Sequence, residues 1–174
     1  MPHSMIKTAP AFRSMNGHWA EWLYVVLLLL CSACASTSPP PALPEANDDV
    51  MNELAIYAMS LADTPYHYGG TSAEQGFDCS GFVRFVFQNS LGWKLPRTSI
   101  EMSQIGDPVA PDHLRPGDLV FFDTQNQVYS HVGIYLGDDR FVHAPSTGKA
   151  VEVVNLRDRY WQSHYNGARR IGNE

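Results

Sequence analysis

Three residues of this sequence have side chains that can make and break an acyl bond together: Cys79 in "FDCSGF", His131 in "SHVGIYLG" and His143 in "RFVHA". A thiol becomes a strong nucleophile when its pKa is lowered. Two devices do that: the free N–H groups at the start of a helix, and a histidine placed to take the proton. Cys79 has the first by position, directly after Asp78, a good N-cap whose carboxylate turns toward backbone N–H groups. His131 is the strongest candidate for the second, beside Gly133, whose missing side chain would leave room for a thiol or a substrate. A third polar group must fix the imidazole tautomer, and His143 can serve. On the residues alone, blander readings stay open. Cys79 on an apolar helical face is more often core. The histidines can be a hydrogen-bonded pair in a sheet, or zinc ligands with Cys79, although no short-spaced His or Cys pair accompanies them.

The elements that must position these groups are legible in outline. Residues 48–62 have a rough helical stripe of Val50, Leu54, Ile56, Tyr57 and Leu61, with Asp48 or Asp49 as cap. A loop built on Pro65 and Gly69–Gly70 follows. From Cys79 onward, Phe82, Val83, Val86 and Phe87 fall at helical spacing, with Arg84 and Gln88 opposite. "LPRTSIEMSQ" predicts a bend and a short helix capped by Thr98 or Ser99. Beyond Arg115 the period changes to that of strands: "DLVFFD", "SHVGIYLG", "RFVHA", "AVEVVNL", a helical turn near Arg157–Trp161, and a closing "YNGARRI". Helices first and antiparallel strands afterwards make an α+β domain.

The hairpin between the histidines imposes a condition. A two-residue turn at Asp138–Asp139 would place His131 and His143 on opposite sheet faces. A three-residue loop, or a bulge with the same effect, pairs His143 with Gly133 and puts both on one face. The catalytic reading requires that register, and requires that face to be the one Cys79 looks at.

The blocks "PYHYGGTSAEQGFDCSGFVRFVF", "LPRTS", "RPGDLVFF" and "SHVGIYLGDDRFVHAPSTG" together resemble the NlpC-type cell-wall cysteine peptidases, in that family's order and spacing, over roughly residues 50–172. The resemblance implies a papain-like fold, with helices packed on a central antiparallel sheet. It implies hydrolysis of peptidoglycan stem peptides, commonly between γ-linked D-Glu and a diamino acid, with the D,D cross-link as another bond cut within such families. It makes Cys79 the nucleophile, His131 the general base and acid, and His143 the orienting residue. It places Tyr66 beside the nucleophile, and Asp78, Ser80 and Arg97 at positions that contact the stem peptide. No metal or cofactor is implied. Related folds also act as N-acetylmuramoyl amidases or acyltransferases, and a non-catalytic cell-wall-binding lipoprotein is the alternative of a different class.

The rest of the chain speaks to location. "WLYVVLLLLCSACAS" has an apolar run from Trp22 to Leu30, short for a membrane span and suited to a secretory signal. Its "CSAC" end resembles the lipobox of bacterial lipoproteins, with Cys34 the better lipidation candidate and Cys31 the second. Residues 1–34 are therefore expected to be a leader, 35–47 a Ser/Pro-rich tether, and 48–174 the peptidase domain. Roughly 14 tether residues reach about 45 Å. The expected location is the bacterial cell envelope, lipid-anchored, on the outer membrane facing the periplasm, as a monomer. With both leader cysteines removed or lipidated, Cys79 is the one thiol of the mature domain, and no intramolecular disulfide can form. The net charge of −6 lacks the basic face a nucleic-acid binder needs.

Overall fold

A computed structural model describes residues 47–172. The expected leader, with Cys31 and Cys34, and the tether up to residue 46 lie outside the described residues. Helix α1 (Asp48–Ser60) is capped by Asn47, whose side chain accepts a hydrogen bond from the Val50 N–H at 2.9 Å. The cap is thus one residue earlier than expected, because a short amide suits the position as well as aspartate does. The buried side of α1 is Met51, Leu54, Ala55 and Ala58. Ile56, assigned to that stripe from spacing, is 61% exposed. Strands β1 (Thr71–Ser72) and β2 (Gly76–Phe77) form a small hairpin inside the segment read as loop.

Helix α2 (Cys79–Leu91) follows directly, capped by Asp78 and closed by Gly92 in the left-handed conformation. Phe82, Val83, Val86 and Phe87 are fully buried. At about 1.5–3 kcal/mol for each such side chain, this face alone anchors the helix firmly. The short α3 (Ser99–Met102) has a full capping box between Thr98 and Glu101.

The remaining chain builds a six-stranded antiparallel sheet in the order β3-β8-β4-β5-β6-β7. Its members are β3 (Asp107–Val109), β4 (Leu119–Phe122), β5 (His131–Gly137), β6 (Arg140–His143), β7 (Glu152–Asn155) and β8 (Tyr165–Arg170). Helix α4 (Arg159–His164) precedes β8, slightly later than the turn expected near Arg157. The final strand enters between β3 and β4, where Arg170 forms a two-point ion pair with the buried Asp118 (2.7 and 2.8 Å).

The β5–β6 hairpin satisfies the register condition by the bulge route. Its turn is two residues, Asp138 and Asp139, both at positive φ (51° and 57°), the twist that suits a tight hairpin. That turn pairs Gly137 with Arg140. The register then slips by one at Leu136, so Tyr135 pairs with Phe141 and Ile134 with Val142. One step further, His143 lies opposite Gly133, on the face that carries His131.

The two faces of the sheet bury different cores. Phe121, Val132, Ile134 and Val142 pack under α1 and α2 with Leu54, Phe82 and Val86. On the other face Val120, Phe122, Tyr135 and Phe141 pack with Trp161 and Tyr165.

Candidate active site

Cys79 opens α2, and the local sequence forces its first turn against the preceding loop. A Cβ on Gly81 would come within 2.0 Å of the Gly70 carbonyl oxygen, so this contact admits only glycine. The Asp78 N–H donates to the same carbonyl. The thiol, half-buried, finds the backbone N–H groups of Val132, Ser80 and Cys79 itself. Val132 directly follows His131, so the helix delivers the sulfur to the first residues of β5. Cross-strand pairing between β5 and β6 runs from Gly137 to Ile134 and does not extend to Val132.

The imidazoles approach this point from the other side. Residues 131, 133 and 135 share the face of Phe122 and Phe141, whereas Val132 and Ile134 face α2. The two histidines therefore sit on the sheet face opposite the helix that carries Cys79. The condition that this face be the one Cys79 looks at is therefore not met by the sheet face alone. The cause is strand alternation: the apolar half of β5 is needed beneath α1 and α2. The thiol instead reaches the start of the strand, at the backbone of Val132, the residue that follows His131. Gly133 also has another use than expected: a Cβ there would stand 2.7 Å from the Phe141 ring, so it makes room for that ring, not for sulfur.

His131 and His143 are 4% and 0% exposed, and Nε2 of the first lies 2.7 Å from Nδ1 of the second, the rings nearly perpendicular. Trp161 stacks on His131 (centroids 5.9 Å apart) and meets His143 edge-on at 4.8 Å. Burial pulls the His131 pKa down to about 4. It pulls His143 down to about 2, helped by the neighbouring His131 and Lys149 charges. Among the described residues, His143 Nε2 is buried without a hydrogen-bond partner; the Glu152 carboxylate stands 3.8 Å away, close enough for an ion pair but beyond a hydrogen bond. A cleft of about 510 Å³ opens on His131, walled by Tyr160, Trp161, Lys149 and Glu152.

The thiol does not behave as expected from a helix terminus and a histidine. Burial, followed by the Asp78 carboxylate, pushes its pKa up to about 11; the three N–H groups pull the other way without offsetting this. Burial thus favours the uncharged form of both groups, thiol and imidazole.

Asp78, Ser80 and Arg97 are brought together with one another. Arg97 grips Asp78 with both terminal nitrogens (Nη1 to Oδ1 3.1 Å, Nη2 to Oδ2 2.5 Å) and donates to Ser80 Oγ at 2.9 Å. Asp78 accepts further bonds from the Gly81 and Gly69 N–H groups. The carboxylate expected to contact the stem peptide is thus already paired, and the arginine braces the cap. Tyr66 lies beside them, its hydroxyl pKa raised by burial first and then by the Cys79 and Asp78 charges. Its backbone N–H donates to the Lys149 carbonyl, tying the "PYHYGG" segment to the approach to β7.

Sequence reasoning passed over Trp161 and Glu152. In the sequence Trp161 is placed only at the end of the helical turn near Arg157–Trp161, and only the fold shows its indole covering the histidine pair. Glu152 had a usable signal: it stands among apolar residues in the strand that follows the one carrying His143.

Residues 63–170 match the family model described as the NlpC/P60 family. The chain is 40% identical over 130 residues to the murein DD-endopeptidase MepH of Escherichia coli (strain K12), covering 73% of this chain and 46% of that protein. It is 39% identical over 152 residues to the probable endopeptidase NlpC of the same organism, covering 86% of this chain and 97% of that protein. The solved structure of an NlpC/P60 family protein from Bacillus cereus superposes with a TM-score of 0.66 at 35% identity, over 74% of this chain and 41% of the other. The match to the DD-endopeptidase thus spans about half of that relative's length. Structural relatives of this kind have the papain-like arrangement of helices on an antiparallel sheet.

Proposed function

The chain belongs to the NlpC/P60 family, and from that membership we propose that it is a peptidoglycan hydrolase that cleaves stem-peptide amide bonds with Cys79 as nucleophile. The observation that carries this reading is the thiol at the start of α2, set against the backbone of Val132, one residue from an imidazole whose far nitrogen is held by a second histidine. With Nε2 of His131 engaged by His143, Nδ1 is the nitrogen left to serve the thiol.

In the proposed cycle the Cys79 sulfur attacks the amide carbonyl while its proton passes to His131 Nδ1. Transfer accompanies attack, because the resting thiol and imidazole are both neutral. The carbonyl π electrons move onto oxygen, where the Cys79 N–H and the Tyr66 hydroxyl supply donors. Collapse breaks the C–N bond, and the imidazolium gives its proton to the departing amine. Water then attacks the thioester, His131 takes one of its protons, and the acid half leaves as the thiol is restored. His143 keeps the proton-bearing nitrogen of His131 pointed away from the sulfur.

The relative named as a murein DD-endopeptidase favours the D,D cross-link as one substrate bond; the bond between γ-D-Glu and a diamino acid is the other. Arg97 and Ser80 support substrate contact indirectly, by holding Asp78 at the edge of the site. Lipidation at Cys34 and attachment to the outer membrane, facing the periplasm, complete the proposal and agree with a wall substrate. Digesting purified muropeptides and analysing them by mass spectrometry tests it. Fragments cut within the stem support an endopeptidase; free intact stems indicate an amidase; uncut muropeptides that still bind indicate a wall-binding protein.

A further inference from the structure

His131 can accept a proton at Nδ1 only if its own N–H is on Nε2. That N–H then points at His143 Nδ1, 2.7 Å away, which must be the acceptor. His143 is consequently obliged to carry its hydrogen on Nε2. The opposite tautomer would donate from His143 Nδ1 to His131 Nε2 and leave an N–H on His131 Nδ1, where the thiol needs a base. Catalysis therefore depends on which nitrogen of a fully buried ring bears hydrogen, and the answer is decided at His143 Nε2.

That atom is buried and has no hydrogen-bond partner among the described residues. The acceptor in reach is the Glu152 carboxylate, 3.8 Å away and placed by the sheet itself, since His143 and Glu152 are cross-strand partners in the β6–β7 ladder. Glu152 is partly exposed and its outer atoms can rotate, so a movement of under 1 Å completes the bond. Among the described residues, the titratable groups facing this ring are His131 from β5, Glu152 from β7, and Lys149 from the loop before it, whose Nζ is 3.8 Å from the same Glu152 oxygen. Trp161 from α4 closes the remaining side without a charge.

We infer that Glu152 is a positioning residue that acts through His143: its carboxylate holds the proton on His143 Nε2 and so keeps Nδ1 of His131 free to serve as the base. The inference rests on the hydrolase reading proposed above, but it is tested by a readout independent of activity. Long-range ¹H–¹⁵N spectra of the histidine side chains report which ring nitrogen is protonated. In the wild-type protein His143 should show hydrogen on Nε2. Glu152→Ala should shift it toward Nδ1–H and lower kcat about 10-fold with KM little changed. Glu152→Gln keeps a carbonyl acceptor and should restore the tautomer and most of the rate. Hydrogen on Nδ1 in the wild type, or a Glu152→Ala protein with unaltered tautomer and kcat, overturns the inference. A wild-type protein inactive on peptidoglycan overturns the hydrolase reading instead, while the spectra still decide the role of Glu152.

Discussion

Nε2 of His131 lies 2.7 Å from Nδ1 of His143, and both rings are almost wholly removed from water. A hydrogen bond so shielded fixes ring orientation as well as tautomer. His143→Ala should therefore lower kcat about 100-fold with the fold retained, and His143→Asn, which can offer an oxygen to His131, should recover part of the loss. Steady-state kinetics on a purified muropeptide measure both. Equal rates for His143→Ala and wild type would remove His143 from the mechanism.

Arg97 holds a carboxylate that sits directly before the nucleophile. Arg97→Ala leaves Asp78 charged and nearly buried without its partner. We expect a loss of about 1–2 kcal/mol in stability, moderated because Arg97 is itself 36% exposed. The unscreened Asp78 charge should also raise the Cys79 pKa further and slow alkylation. Urea unfolding and thiol titration check the two effects separately. Arg97→Lys keeps the charge but loses the fork, and should fall between.

The histidine burial has a pH signature. Both folded pKa values are depressed below the ordinary 6.5, so between pH 6.5 and about 4 the unfolded chain binds more protons than the folded one. Stability from these groups is complete above pH 6.5 and falls as the pH is lowered through that window. The slope is at most about 1.4 kcal/mol per pH unit for each histidine. His143→Phe should reduce the slope in urea melts at pH 7, 6 and 5. An unchanged slope would mean that the ring is protonated in place without penalty.

The thiol, pushed up to about 11, should react with iodoacetamide at a rate that climbs through pH 9 and 10. Activity should disappear in step with alkylation and be untouched by EDTA. A rate plateau beginning below pH 7 would instead reveal a resting thiolate–imidazolium pair.

Trp161→Ala should admit water to the histidine pair and move the acid limb of kcat/KM upward, toward the ordinary imidazole value. An unmoved limb would show that the indole does not set the histidine environment.

Much of this site is legible along the chain because its parts are local. Asp78 as a cap, Cys79 in the first turn and the apolar face of Phe82, Val83, Val86 and Phe87 all follow from helical spacing, and the Thr98–Glu101 capping box is a four-residue signal. The histidine register was readable only as a condition, because the two-residue turn at Asp138–Asp139 and the slip at Leu136 have opposite consequences and a bulge leaves little trace in composition. The face occupied by the histidines depends on which half of β5 lies beneath α1 and α2. That is a tertiary choice, as is the insertion of β8 between β3 and β4. The upward pull on the thiol pKa is illegible in the chain for a related reason: helix position and histidine are sequence features, whereas burial and the orientation of the Asp78 charge belong to the packed structure.

Muropeptide digestion by the wild-type protein and Cys79→Ala in parallel decides whether Cys79 carries stem-peptide hydrolysis. The wild type should give new stem fragments by mass spectrometry, and the variant a loss of at least about 1,000-fold in their rate of appearance with its thermal unfolding unchanged. Identical profiles from the two proteins, cut or uncut, would contradict that role.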